Sequence, residues 1–516
     1  MANPVATRSK LSHPLPFEKG RNAGILLHIT SLPSPFGIGD LGPEARNFVD
    51  FLSGSKQRYW QMLPLNPVSA EQYFSPYSSA SSMAGNPLLI SPELLEADGL
   101  IKNSDLSAYH VPATERVNFE RASEVKGHLL KKAAAKFFKN SKLTAAFEKF
   151  CRRESYWLAD FALYQALKEH HGNRPWFQWK EEYKMRSSQA LKTFSKKTAE
   201  LLTYTMWQQY IFWEQWTKLK TFANYSGVLL FGDLPFYVSH DSSDVWANRD
   251  IFNVDRGGLM KGVAGVPPDY FNSNGQLWGM PTFKWNILQK QNYDWWITRL
   301  RKNMQMFDVL RLDHFRAFAN YWEVPAGEPT ARRGKWKEGP GHLFFETVQS
   351  AIGKVKFVAE DLGDIDENVF RLRDDFGMPG MKILQFAFGD EMAGSGYSPH
   401  NYTSNFIAYT GTHDNNTTVG WFRKDIKRKV RKQVSSYAGK VVDENNVHIE
   451  LSRLAYASVA RTVILPLQDV LGANEQARMN TPATTTDNWK WRFKKNALTQ
   501  TLQKRLANWV SLYNRS

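Results

Sequence analysis

Short runs of apolar residues, each as long as a β-strand, recur along the chain and end in polar residues, glycine or proline. Eight runs have this form: residues 23–29, 59–65, 228–236, 309–315, 356–363, 381–388, 406–414 and 463–469. Stretches with helical spacing, such as residues 44–53 and 293–306, lie between them. Continuous apolar strands that alternate with helices are typical of a parallel sheet covered by helices. Eight such units predict an α/β fold, a (β/α)8 TIM-type barrel.

The spacing between these runs is uneven. Between the second and third runs lie 162 residues, which is too many for one crossover and is rich in Ala, Lys, Phe and Trp at helical spacing. We therefore predict one catalytic barrel domain over residues 1–516, with a mostly helical insertion at 66–227. Residues 239–284 predict a long active-site loop, because connections of this length are usually functional. The 47 residues after the last run allow a closing helix at 498–513 but no C-terminal β-sandwich.

Composition narrows the class of protein. Of the 516 residues, 42% are hydrophobic and 22% charged, which excludes a disordered, collagenous or fibrous chain. The single cysteine, Cys151, excludes an internal disulfide and fits a reducing, cytoplasmic location. The first twenty residues have no apolar region, so we expect no secretory signal. The longest uncharged aromatic stretch, residues 201–213, is shorter than the roughly 18 residues of a membrane span, so no membrane partner is predicted.

The net charge of +16 raises the question of a nucleic-acid partner. Basic residues cluster at 131–142 and 423–432, both at helical spacing, and no nucleic-acid-binding module accompanies them. Solvated helix faces are the simpler interpretation, and we predict no nucleic-acid partner.

A GxGxxG pattern at residues 37–42 resembles a dinucleotide-binding fingerprint. That fingerprint requires its first glycine to follow a strand directly, whereas SLPSPF, with two prolines, intervenes here. The pattern therefore predicts a tight loop before a helix.

Ionisable side chains end four of the predicted strands. They are Asp233, then Arg311 with Asp313 and His314, then Glu360 with Asp361, and finally His413 with Asp414. Active sites of barrels lie at the carboxyl ends of the strands, so these groups should meet on one rim. Capping of the following helix is the alternative, and it suffices for Asp361 and Asp469. Capping explains one carboxylate at a time and does not explain their convergence beside an arginine.

Two carboxyl groups on one rim suggest glycosidic chemistry, for which 18 Trp, 20 Tyr and 33 Phe offer faces to sugar rings. One carboxylate must be ionised to attack the anomeric carbon, and the other must be protonated to assist the leaving oxygen. Arg311 points to the same side of its strand as Asp313 and would keep that carboxylate ionised. The apolar residues before Glu360 would raise its pKa. Asp414 would hold sugar hydroxyls.

The same cluster contains residue types that serve other chemistries. His314, His413 and the carboxylates are possible Zn or Fe ligands, but no HxH, HxxxH or HExxH spacing occurs on these strands. No GxSxG elbow indicates a serine hydrolase. We therefore expect neither a metal nor another cofactor.

Several long blocks of the chain carry a family resemblance. They are GILLHITSLPSPFGIGDLGPEA from residue 24, YWQMLPLNP from 59, SPYSSASSMAGNPLLI from 75, GDLPFYVSHDSSDVWAN from 232, AGVPPDYFNSNGQLWGMPTFKW from 264, LRLDHFRAFANYWEVP from 310, VAEDLG from 358, YTGTHDNNT from 409 and ANEQARMNTPATTTDNWKWR from 473. In these blocks the chain resembles the amylomaltase family, the 4-alpha-glucanotransferases or disproportionating enzymes of the alpha-amylase-like clan.

The resemblance implies roles for eight residues. Asp313 would be the nucleophile, Glu360 the acid/base and Asp414 the transition-state stabiliser. The other five would bind substrate: Arg311 and His413 in the donor subsite, Tyr77 stacked on the donor sugar, Asp233 in support, and Trp278 in a loop arching over the glucan. Two positions depart from the family pattern, Met280 and Ala483, where a small polar residue and glycine are usual.

The implied activity is transfer of alpha-1,4-glucan segments between maltodextrins, by a retaining double displacement through a covalent Asp313 glucosyl-enzyme. Residues 264–284 would cover the cleft, with Trp278 and Phe271 as faces for an acceptor sugar. An alpha-amylase-like hydrolase is the nearest alternative, although such enzymes usually carry the C-terminal sandwich that is not predicted here. A non-enzymatic glycan-binding protein would be expected to lack Asp313 or Glu360.

Overall fold

A parallel barrel forms the centre of the molecule, in a computed structural model that describes residues 20–112, 114–268 and 272–515. The strands in chain order are β1 (Asn22–Leu26), β2 (Tyr59–Gln61), β3 (Leu229–Leu234), β4 (Gly262–Val266), β5 (Gln276–Pro281), β6 (Val309–Leu312), β7 (Asn320–Pro325), β8 (Lys335–Glu338), β9 (Phe357–Ala359), β10 (Gly380–Ile383), β11 (Phe406–Tyr409) and β12 (Thr462–Pro466). Eight of them pair in parallel in the order β10-β11-β12-β1-β2-β3-β6-β9. The Ala359 N–H donates to the Pro379 carbonyl at 2.9 Å, which brings β9 beside β10 and closes the barrel.

Helices cover the barrel and build most of its connections. They are α1 (Pro43–Gly54), α2 (Pro92–Ala97), α3 (Asn103–Ala108), α4 (Phe119–Phe137), α5 (Ser141–Arg153), α6 (Ser155–His170), α7 (Glu181–Lys184), α8 (Ser188–Lys197), α9 (Ala199–Tyr225), α10 (Ser243–Ala247), α11 (Trp285–Lys290), α12 (Asp294–Met306), α13 (Gly341–Ile352), α14 (Glu367–Asp375), α15 (Thr418–Gly420), α16 (Arg428–Ala438), α17 (Val447–Ala457), α18 (Leu467–Val470) and α19 (Gln500–Leu512). Over the described ranges, none of them is both long and apolar enough to cross a membrane.

The predicted (β/α)8 barrel is confirmed, and each of the eight predicted apolar runs overlaps a barrel strand. The observed strands end earlier than predicted. The run at 406–414, for example, leaves the sheet after Tyr409, because its polar continuation turns into the barrel mouth. The predicted loop at 37–42 precedes α1, and the predicted closing helix corresponds to α19.

The segment 239–284 is more regular than the predicted loop. It contains α10 and two strands, β4 and β5, that join β7 and β8 in an antiparallel sheet of order β5-β4-β7-β8. The hydrophobic pattern missed this sheet because β8 is exposed along its whole length and β5 is mostly half-buried, so neither forms an apolar run. The expectation of an irregular loop was therefore wrong for these stretches.

The described part of the connection between β2 and β3 contains the α-helices α2 to α9. The longest, α9, holds the start of this connection through two buried glutamines. The amide of Gln209 exchanges two hydrogen bonds with the main chain of Gly85, at 2.8 and 2.9 Å, and Gln215 does the same with Ser91, at 2.7 and 3.1 Å. Gly85 must be glycine, because a Cβ there would lie 2.1 Å from the Phe212 ring. These contacts fix the stretch of chain that begins at the barrel mouth.

A buried ion pair links this helical segment to the barrel. Lys302 of α12 and Glu154, between α5 and α6, are 1% and 2% exposed and lie 2.5 Å apart. The Trp157 indole donates to the same carboxylate at 2.8 Å, and the Lys302 ammonium lies 3.5 Å from the centre of the Trp213 ring. Burial lowers the pKa of Lys302 to about 8, although the Glu154 carboxylate acts in the opposite direction. Removal of either partner would leave the other charge buried and unpaired.

We expect Lys302→Ala to reduce the free energy of unfolding by about 3–5 kcal/mol, the usual cost of breaking a buried pair on one side. The control is Arg121→Ala, which breaks the exposed pair of Arg121 with Glu124 and should change stability little. Urea unfolding followed by tryptophan fluorescence measures both variants. Equal midpoints for the two would show that the buried pair does not join the segments.

Candidate active site

Arg311 lies at the centre of the barrel mouth, bound to two carboxylates. Asp233 of β3 and Arg311 of β6 are in register, and both are almost fully buried. The Arg311 Nη1 lies 2.7 Å from each oxygen of Asp233 and 2.7 Å from Asp313 Oδ1. Burial alone would lower the pKa of Arg311, but Asp233 and Asp313 more than compensate and raise it. The guanidinium therefore stays charged and orients Asp313.

Tyr77 extends this network to the strand end of β11. Its hydroxyl donates to Asp233 Oδ2 at 2.7 Å and lies 2.8 Å from His413 Nε2. Because the single hydroxyl hydrogen goes to the carboxylate, His413 must donate from Nε2 in this arrangement. The two rings stack with centres 5.3 Å apart, so one face of Tyr77 is occupied by protein.

Asp414 follows His413 in the loop after β11 and is 46% exposed. Asn480 Nδ2 donates to its Oδ1 at 2.7 Å, and Arg478 donates to its main-chain carbonyl at 2.8 Å. His413 Nε2 lies 3.4 Å from the same carboxylate oxygen. The carboxylate is thus held in place with much of its surface free for a ligand.

Glu360 follows β9, which pairs with β6 on the side opposite to β3, so it lies across Asp313 from Asp233. Its Oε2 accepts from the His314 N–H at 2.8 Å and its Oε1 from the Leu362 N–H at 3.1 Å. Burial raises the pKa of Glu360 to about 8; Arg311 opposes the shift and the Asp313 carboxylate adds to it. At neutral pH this carboxyl group is mainly protonated, as a general acid requires.

The turn after Asp313 brings a tryptophan to the site. His314 has φ 49°, a left-handed conformation, and its ring meets Trp278 of β5 edge-on with centres 4.8 Å apart. Burial lowers the pKa of His314 to about 4, so the imidazole is neutral and packs as a ring. The antiparallel sheet therefore places Trp278 beside the Glu360 side of the site.

Two carboxylates considered as helix caps have other partners. Asp361 binds Arg373 at 2.5 Å and accepts from the Met381 N–H at 2.7 Å. Asp469 accepts from the Thr410 and Thr418 hydroxyls at 2.5 and 2.7 Å. Asp469 also caps α15 through the Thr418 N–H, so neither residue caps the helix that follows it.

The structure brings together all eight residues singled out from the sequence: Tyr77, Asp233, Trp278, Arg311, Asp313, Glu360, His413 and Asp414. Phe271, expected beside Trp278, lies outside the described residues. The sequence did not reveal Asn480, which binds Asp414, or Trp489, whose ring lies 5.8 Å from that of Tyr77. Both belong to the block from 473 to 492, so the family resemblance of this block was the only indication in the sequence that they lie near the site.

Of the two departures from the family pattern, Ala483 has a visible consequence. It adopts φ 61°, a left-handed conformation in which glycine would be unstrained. Met280 is half-buried in β5.

Within residues 20–112, 114–268 and 272–515, no three His, Cys, Asp or Glu side chains are grouped so as to hold a metal ion. The carboxylates of Asp233 and Asp313 face the positive charge of Arg311.

An arginine-bound carboxylate and a protonated carboxyl group on the rim of a (β/α)8 barrel fit the class of carbohydrate-active enzymes. A family profile for 4-alpha-glucanotransferase matches residues 27–499. The 4-alpha-glucanotransferase of Synechocystis sp. is 44% identical over 500 residues, covering 96% of this chain and 98% of the relative. That of Aquifex aeolicus is 45% identical over 476 residues, covering 92% and 96%.

A solved structure agrees with these relatives. An amylomaltase from Streptococcus agalactiae, in complex with acarbose, is 39% identical and superposes with a TM-score of 0.93 over 96% of this chain and 100% of its own. The chain belongs to the 4-alpha-glucanotransferase family, whose members are glycosyl-transferring enzymes.

The raised pKa of Glu360 gives a direct test of this geometry. A neighbouring anion raises the pKa of a carboxyl group, so Asp313→Asn should lower the pKa of Glu360 below its value of about 8. Asp390→Asn, at an exposed position, should leave it unchanged. Carbon-13 NMR of labelled glutamate side chains across pH 5–10 measures the titration, with Glu360→Gln identifying the signal. An unchanged or higher pKa in Asp313→Asn would contradict the arrangement.

Proposed function

We propose that this enzyme transfers alpha-1,4-glucan segments between maltodextrins through a covalent glucosyl-enzyme on Asp313. One observation carries the proposal: Asp313 is bound to the Arg311 cation, while the pKa of Glu360 is raised to about 8. An arginine-bound carboxylate and, at neutral pH, a protonated acid therefore stand on the same rim. Bond type and configuration are the same in donor and product, which requires two displacements.

In the first displacement, an Asp313 oxygen attacks the anomeric carbon of the donor as the bond to the leaving oxygen breaks. Glu360 gives its proton to that oxygen, so the released chain ends in a free 4-hydroxyl and Glu360 becomes ionised. In the second, the 4-hydroxyl of an acceptor loses its proton to Glu360 and attacks the same carbon. The ester to Asp313 then breaks, and both carboxyl groups return to their starting states.

The network around Arg311 supports a donor subsite on the Tyr77 side of Asp313. Asp414 has 46% of its side chain exposed and an anchored carboxylate, so its free oxygen suits sugar hydroxyls. His413 and Asp233 are fixed through the Tyr77 hydroxyl and would hold the sugar in one orientation. One face of Tyr77 is covered by His413, so any stacking on the donor sugar would use the remaining face.

The choice between transfer and hydrolysis depends on what reaches the glucosyl-enzyme. Water and an acceptor sugar use the same base, so access and acceptor binding decide the outcome. Trp278 packs against the His314 ring, and the His314 N–H donates to Glu360, which supports an acceptor subsite near this tryptophan. We propose that Trp278 binds the acceptor and favours transfer, whereas an alpha-amylase-like enzyme would pass the intermediate to water.

With maltotriose as the only substrate, we expect glucose and a ladder of longer maltodextrins, with little increase in total reducing ends. Asp313→Asn should abolish product formation and still bind maltodextrin, because it removes the nucleophile and keeps the shape of the side chain. Product sizing by chromatography with a reducing-end assay measures both. If only glucose and maltose form and the reducing ends rise steadily, the proposed transferase activity is wrong and the enzyme is a hydrolase.

Trp278→Ala should reduce the ratio of transfer to hydrolysis by about tenfold, since an acceptor ring loses its packing surface. Trp336→Ala is the matched control, because Trp336 lies on β8 of the same sheet and is exposed. Its transfer ratio should stay near that of the unmodified enzyme. Labelled glucose as acceptor distinguishes transfer from hydrolysis. An equal loss in both reactions would assign Trp278 to general substrate binding.

A further inference from the structure

His28 lies two residues after the end of β1 and has no role in the proposed mechanism. Gln61 of β2 points into the barrel, because its side-chain oxygen accepts from the Tyr409 hydroxyl of β11 at 2.9 Å. Leu26 of β1 is in register with Gln61, and the Leu27 N–H continues the pairing to the Gln61 carbonyl. His28 keeps an extended backbone two residues after Leu26, so its side chain faces the same interior.

The register also gives the height of His28 in the barrel. Gln61 pairs with Phe231 of β3, and two residues further along that strand is Asp233, the partner of Arg311. His28 therefore lies at the same level along the strands as Asp233 and Arg311. Asp313 lies two residues beyond Arg311, nearer the barrel mouth. His413 is close enough for its charge to affect the pKa of His28.

The His28 imidazole is unpartnered in this layer. The residue is 6% exposed, its Nδ1 is fully buried without a hydrogen bond, and no described residue hydrogen-bonds its Nε2. Thr30 Oγ1, two residues further along, is also buried without a partner. Burial lowers the pKa of His28 to about 3, so the ring is neutral and offers one donor and one acceptor. Buried polar atoms in folded proteins are nearly always hydrogen-bonded, so this pair of residues is suited to a polar ligand.

We propose that His28 binds a hydroxyl group of the donor sugar, in the subsite formed with Asp233, Arg311 and His413. The inference rests on the proposed function, because it takes that subsite as the one for the donor. In a neutral imidazole Nε2 is a donor or an acceptor according to the tautomer, and a hydroxyl can bind either form.

Two variants separate this contact from a structural role. His28→Phe keeps a ring and removes both polar atoms, and it should lower kcat/KM for maltotriose disproportionation by about tenfold to a hundredfold. Its melting temperature should equal or exceed that of the unmodified enzyme, since no internal hydrogen bond is lost. His28→Asn restores a polar group and should recover part of the loss. His448→Phe is the matched control, because His448 Nδ1 is likewise buried and unpartnered but lies in α17; its kcat/KM should stay within about twofold.

A second experiment observes ligand binding directly in enzyme that retains His28. In Asp313→Asn enzyme labelled with nitrogen-15 at histidine, the His28 ring signals, identified with His28→Phe, should shift on saturation with maltoheptaose. If unmodified enzyme disproportionates maltotriose while His28→Phe keeps its kcat/KM, the inference is wrong and the proposed function stands. A lower kcat/KM without any signal shift would assign a structural role and also overturn it. Enzyme that does not disproportionate maltotriose would overturn both.

Discussion

The charge of Arg311, shared between Asp233 and Asp313, is the interaction on which the rest of the site depends. It joins β3 to β6 at the barrel mouth and orients the proposed nucleophile. Through Asp233 it fixes the Tyr77 hydroxyl, which in turn sets the donor direction of His413. The same cation opposes the rise in the pKa of Glu360, and the burial of that carboxyl group prevails. One guanidinium thus binds and orients one carboxylate, while burial keeps the neighbouring Glu360 protonated, and acid-assisted glycosyl transfer needs both groups.

The helical segment between β2 and β3 and the barrel support one another. Glu154 and Lys302 connect α12 of the barrel to the junction of α5 and α6, while Gln209 and Gln215 hold the main chain that follows Tyr77. Tyr77 therefore depends on contacts more than a hundred residues away in the sequence for its position against Asp233. The helical segment therefore contributes to the active site by holding in place the main chain that follows Tyr77.

The sequence predicted the barrel and the groups at its mouth because parallel strands bring their carboxyl ends together. The spacing of two between Arg311 and Asp313 was enough to place both on one side of β6. The contact of Asn480 with Asp414 joins residues 66 positions apart through loops with no hydrophobic period, so no local pattern indicated it. The antiparallel sheet was missed because exposed strands such as β8 carry no apolar run. The His28 ring is unpartnered because no neighbouring side chain supplies a hydrogen bond to it, and the sequence alone does not show which side chains surround it.

The pairing of β1 with β12 has a consequence for biosynthesis. These strands lie at opposite ends of the chain, and every residue of β1 from Asn22 to Leu26 is in register with one from Thr462 to Pro466. While the ribosome is still making the protein, one edge of β1 has no partner for the time needed to add the intervening residues, on the order of tens of seconds. An open strand edge invites pairing with other chains. Nascent copies of this enzyme are therefore exposed to mispairing until the last strand emerges, and a chain that terminates before β12 would keep the unpaired edge of β1 permanently.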